Sequence, residues 1–167
     1  MRKVIVNSTP LIILSRINHL SILKELYEEI IIPQAVFKEV TAKEDIICKQ
    51  ISKNLHWIKI FNCKSNDRKM YQAKLHAGEV EVMILAQELN ADLIILDDNA
   101  AKKTAKYLGL NVTGTLGVLL KAKREKLIES IQPLIKMMMN NGFYLSDEVI
   151  RMTLSVAEEN NIEVPAK

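Results

Sequence analysis

Proline and glycine are scarce in this chain, with four and five among 167 residues. That scarcity argues against long flexible linkers, and the length suits one domain with a sizeable core. Cysteine is scarcer still. Cys48 and Cys63 form no CxxC pair and have no His-rich string around them, which argues against a structural zinc site. Two reduced thiols in a cytoplasmic protein are expected instead. No apolar run reaches the roughly 18 residues that suggest a membrane span. Near the N-terminus, Arg2-Lys3 leads into a short apolar stretch that Asn7 to Pro10 and Arg16 interrupt too early for a signal peptide. Neither sign of charge dominates. The net charge of +3 permits a nucleic-acid partner without demanding one.

What is present is ordinary globular composition, 49% apolar and 26% charged. Short β-branched runs alternate with helical patterns. "VIV" at 4–6, "III" at 30–32, "LHWIKIFN" at 55–62, "DLIIL" at 92–96 and "NVT" at 111–113 predict strands. Thr9-Pro10 predicts a helix start, with a capping hydroxyl and Pro at the first helical position. That helix is expected to run to about Asn18. Ser21 is expected to cap a second helix, and Pro33 to open one continuous helix through "ISK" at 51–53. Helix is expected on both sides of Gly78, from about residue 67 to 90, and again over 100–109. The chain beyond Leu116 predicts helices broken near 123–126 and 140–142, with Ser146 capping the last. The Met run at 137–139 predicts core packing. The pattern implies an α/β fold, a mostly parallel sheet covered on both faces.

In open parallel sheets, sites form beyond the carboxyl ends of the strands. Asn7-Ser8-Thr9 follows the first strand, Asp97-Asp98-Asn99 the fourth and Thr113-Gly114-Thr115 the fifth. All carry small oxygen-bearing side chains, and the adjacent aspartates suit a hard divalent cation. The same pair also suits a helix cap. On the helix after Gly78, the apolar arc of Val82, Met83, Leu85, Ala86 and Leu89 places Glu79 at its edge and Glu81 opposite, toward water. An interior carboxylate is costly unless paired or metal-bound. Glu79 is therefore a candidate ligand, or a first-turn acid favoured by the helix dipole. His76 reads as a surface residue. Glu39 falls within the arc set by Ala35, Val36, Phe37 and Val40, a second acid on the core side of a helix.

These stretches resemble PIN-domain proteins: "VIVNSTPLI", "IPQAVFKEV", "LHAGEVEVMILAQELNADLIILDDNAAKKTAKYLGLNVTGTLGVLLKAK" and "NNGFYLSDEVI", in order over nearly the whole chain. More narrowly they are similar to the prokaryotic branch of VapC-like toxins, with its "GExExxxLA" helix and "DD-x-x-A" strand end. The resemblance implies a three-layer α/β/α sandwich of one domain, with a core over about 1–122 and a helical extension over about 123–167. It implies a nuclease that holds Mg2+ or Mn2+ with acids and cuts RNA. It also implies a protein antitoxin as partner and a homodimer. Carried over residue by residue, it assigns catalysis to Glu39, Glu79, Asp97 and Asp98, and metal binding to Asn7, Glu39, Glu79 and Asp98. Asp98 is preferred within its pair. Ser8, Thr9, Lys102, Lys103 and Thr115 are expected to meet the RNA, with the lysines placed for phosphate contact or simply on a solvated face.

Asn7 stands where the family carries its first acid. An amide oxygen coordinates a hard cation without charge, and it cannot serve as a base. An alternative reading is therefore a degenerate PIN domain that binds RNA or a protein partner without cutting. A phosphoacceptor domain would need a further acceptor Asp and an opposed Lys, and the sequence offers no such pair.

Overall fold

The computed structural model describes residues 2–65 and 75–159. The predicted helical stretch before Gly78 falls partly outside them. Among the described residues, five strands form one sheet: β1 (Val4–Val6), β2 (Ile30–Pro33), β3 (Ile58–Phe61), β4 (Leu93–Ile95) and β5 (Val112–Thr113). Their order is β3-β2-β1-β4-β5. Every pairing is parallel, with Ile5 opposite Ile31, Ile5 opposite Ile94 and Ile95 opposite Thr113. Successive strand residues point to opposite faces. Val4, Ile5 and Val6 are all fully buried, as are Ile30 and Ile32. Both faces of the central strands are therefore covered. This is the α/β/α sandwich that near-continuous apolar strands imply.

The covering helices are α1 (Ser8–Arg16), α2 (Ser21–Tyr27), α3 (Gln34–Val40), α4 (Ile46–Lys53), α5 (Ala77–Leu89), α6 (Asn99–Tyr107), α7 (Thr115–Arg124), α8 (Gln132–Asn140) and α9 (Asp147–Val156). Gly109, at φ +74, follows the end of α6 in a conformation glycine adopts without steric cost. Ser146 caps α9, its Oγ accepting from the Val149 amide at 3.2 Å. Met138 is buried and Met139 packs on the core, while Met137 is exposed.

Several local expectations are corrected. α1 begins at Ser8, with Asn7 at its N-cap, so Pro10 is its third residue. In the first turn a missing N–H costs nothing, because those amides have no intrahelical partner. Leu20, not Ser21, stands at the α2 N-cap. The long helix expected from Pro33 is two helices. The Thr41 hydroxyl donates to the Phe37 carbonyl at 2.6 Å as α3 ends, and the Asp45 carboxylate accepts from the Cys48 amide at 3.0 Å to start α4. Local side-chain bonds at both ends replace the helical ladder between them.

Candidate active site

The sheet order reverses between β1 and β4, so a crevice opens beyond their carboxyl ends. Asn7 follows β1 directly and is buried, its amide donating to the Ile95 carbonyl on β4 at 2.9 Å. Its side-chain Oδ1 and the Glu39 Oε2 each lie 3.5 Å from where a β-carbon on Gly78 would stand. Ser8 Oγ donates to that same Glu39 oxygen at 2.6 Å. The end of β1, the end of α3 and the start of α5 thus converge on one small space. A β-carbon on Gly78 would meet both oxygens at ordinary van der Waals distance.

Glu39 is an exposed residue whose carboxylate reaches back to Ser8, which corrects its placement on the core side of α3. Val36 and Val40 carry the buried face of that helix. Glu79 is buried, at 6% exposure, and its carboxylate accepts from the His76 amide at 2.9 Å across the first turn of α5. His76 itself is exposed, as expected.

Glu81 is the larger correction. It is 9% exposed, and its Oε2 accepts from the Ala35 amide at 2.9 Å. It therefore satisfies one of the unpaired amides at the start of α3 from a neighbouring helix. An arc argument missed it because α5 is buried from Gly78 through Ala86, on every side. A helix buried all round has no water face on which to place an acid.

The aspartate pair divides. Asp98 is exposed and caps α6, accepting from the Ala101 amide at 2.8 Å. Asp97 points the other way and accepts from the Thr115 amide at 2.8 Å and its hydroxyl at 2.6 Å. It therefore ties the end of β4 to the start of α7. A β-carbon on Gly114 would stand 2.7 Å from Asp97 Oδ1 and 2.8 Å from Lys102 Nζ, so carboxylate and ammonium close over the glycine together. Thr9, Asp97, Lys102 and Thr115 are among the residues that line a cleft of about 390 Å³. Lys103 is exposed and does not line it.

A divalent ion needs several hard oxygens turned to one point. Here each acid holds a donor of its own chain: Glu39 takes Ser8, Glu79 takes His76, Asp97 takes Thr115 and Asp98 takes Ala101. Among the described residues, no three His, Cys, Asp or Glu side chains stand together as an ion site. As arranged, these residues do not fit the acid cluster that the resemblance implies.

A family model described as DUF3368, PIN domain, matches residues 3–159. This chain belongs to the PIN-domain family, whose members are typically nucleases and generally use divalent metal ions. Among solved structures it is similar to a PilT N-terminus domain protein from the hyperthermophilic archaeon Sulfolobus solfataricus. That likeness has 20% identity and a TM-score of 0.48, over 71% of this chain and 92% of the other. No curated protein matches the chain. Among the described residues, no helix is long and apolar enough to cross a membrane.

Proposed function

We propose that this protein is a ribonuclease of the PIN class and the toxin half of a toxin–antitoxin pair. The observation that carries this reading is the convergence of Asn7, Ser8 and Glu39 at the point where the sheet order reverses. Asp97 and Lys102 stand at the next strand end. Asp97 supports the role of strand-end acid better than Asp98 does, because Asp97 lines the cleft and Asp98 does not. Magnesium or manganese enters this proposal through the family and not through the donor set, so no catalytic step is derived through a metal. An antitoxin and a homodimer likewise enter through the resemblance.

The second reading, a PIN domain that binds RNA without cutting it, is favoured by a specific observation. Asn7 replaces an acid, and the remaining carboxylates are engaged by their own chain. Incubating the purified full chain with a mixed RNA pool separates the two. Cleavage that requires added magnesium or manganese supports the ribonuclease. RNA retained intact on the protein, with no heat of metal binding by calorimetry, supports the second reading.

A further inference from the structure

A second cleft, of about 420 Å³, is lined by Ile46, Lys49 and Lys53 of α4 and by Asn18, Leu20 and Ser21 from the junction of α1 and α2. It shares no lining residue with the cleft beside Asp97. α1 starts at the candidate site and its far end meets this cleft, so roughly 13 Å of helix separates the two. Gln50 Nε2 donates to the Ser15 carbonyl at 3.1 Å, which fastens α4 to α1. Asn54 Nδ2 donates to the Gln50 carbonyl, and Asn54 Oδ1 accepts from the Trp57 indole at 2.9 Å. Asn18 turns the chain at φ +58, a left-handed conformation that Asn adopts at less cost than most side chains. The surroundings of the cleft are thus fixed by their own bonds.

The charge of this cleft is one-sided. No Asp or Glu lines it. Neither Lys49 nor Lys53 has an ion-pair partner among the described residues. Asp45, the acid next to Ile46, is committed to the Cys48 amide at the head of α4. Lys49 and Lys53 are four residues apart, so their β-carbons stand about 5–6 Å from each other on one helix face. That spacing suits two linked phosphoryl groups, one to each ammonium. Asn18 and Ser21 add an amide and a hydroxyl whose side chains make no hydrogen bond among the described residues. The volume falls in the range for whole small molecules, roughly 300–1,000 Å³, rather than for a bare ion. Ile46, 59% exposed and one turn before Lys49, offers an apolar surface beside the cations. We infer that this cleft binds a small organic diphosphate, with its phosphoryl groups at Lys49 and Lys53 and its organic body on Ile46. The site stands apart from the proposed action on RNA and does not rest on it.

Isothermal titration calorimetry of the full chain tests this, in chelator and at low salt, with ADP, pyrophosphate and adenosine as probes. ADP and pyrophosphate are expected to bind once per chain, ADP the more tightly, and adenosine not at all. The double variant Lys49→Ala, Lys53→Ala should weaken ADP binding at least about tenfold. Ile46→Ser should bring ADP down to the affinity of pyrophosphate and leave pyrophosphate unchanged. Lys102→Ala should bind ADP as the unsubstituted chain does, because Lys102 lines the other cleft. Thermal melting checks that the variants remain folded. Absence of ADP and pyrophosphate binding overturns the inference. So does equal ADP affinity in the double lysine variant, or ADP bound no more tightly than pyrophosphate. Loss of ADP binding in Lys102→Ala also overturns it, since the phosphates would then belong to the cleft beside Asp97. None of these results bears on RNA cleavage, which is measured separately.

Discussion

The Asp97 carboxylate holds both hydrogen-bond donors of Thr115, the amide at 2.8 Å and the hydroxyl at 2.6 Å. One acid therefore anchors the start of α7 to the end of β4 while standing on the wall of the candidate site. Any role in chemistry is combined with a structural one. Thr115→Val removes the hydroxyl donor and leaves the amide bond. Urea denaturation should show a loss of about 1 kcal/mol, discounted because Asp97 is partly solvated. Asp97→Ala should cost more, since it orphans both donors.

Glu81 supplies the second prediction. Its carboxylate, on the neighbouring helix α5, satisfies the Ala35 amide at the start of α3. Glu81→Ala leaves that amide without its acceptor and should destabilise the fold by about 2 kcal/mol in chemical denaturation. Glu81→Gln keeps an acceptor oxygen and should recover most of the loss. Equal losses in the two variants would mean that packing rather than the hydrogen bond is at stake.

The C-terminal helices carry a pH dependence. Glu159 is buried, which alone would push its carboxyl up. The Lys123 ammonium and the Ile131 and Gln132 amides outweigh burial, and its folded-state pKa lies below the ordinary value. The stability this provides is complete above the unfolded-state pKa of an ordinary glutamate, and it is lost as pH falls through the lowered folded value. Acid titration of thermal stability should therefore show a decline that Glu159→Gln flattens. A decline of unchanged size in the variant would assign it to other acids.

Asn7→Asp restores a charge beside Glu39. In metal-free protein two carboxylates near one buried space repel, so the melting temperature should fall. Added manganese should raise it again, and by more than it raises that of the unsubstituted chain, because a ligand of the folded state stabilises by mass action. If manganese shifts both proteins equally, Asn7 does not face an ion.

Much of the fold was legible because buried parallel strands are short β-branched runs, and those runs stand out at 4–6, 30–32 and 93–95. The strand-end rule singles out Asn7-Ser8-Thr9, Asp97-Asp98-Asn99 and Thr113-Gly114-Thr115. The division of labour within Asp97-Asp98 was not legible. Asp98 caps α6 while Asp97 ties β4 to α7, and only the position of Thr115 decides which aspartate does which. Glu81 escaped for a different reason: periodicity locates a water-facing side only on a helix that has one. The break between α3 and α4 carried a signal, Asp45 three residues before Cys48, that the continuous helical pattern obscured.

The rate of RNA cleavage with manganese, for the unsubstituted chain beside Glu39→Gln and Asp97→Asn, bears most directly on the proposed ribonuclease. Cleavage by the unsubstituted chain should stop in chelator and should fall at least about tenfold in both variants. RNA left intact by the unsubstituted chain, or cut equally well by both variants, would contradict it.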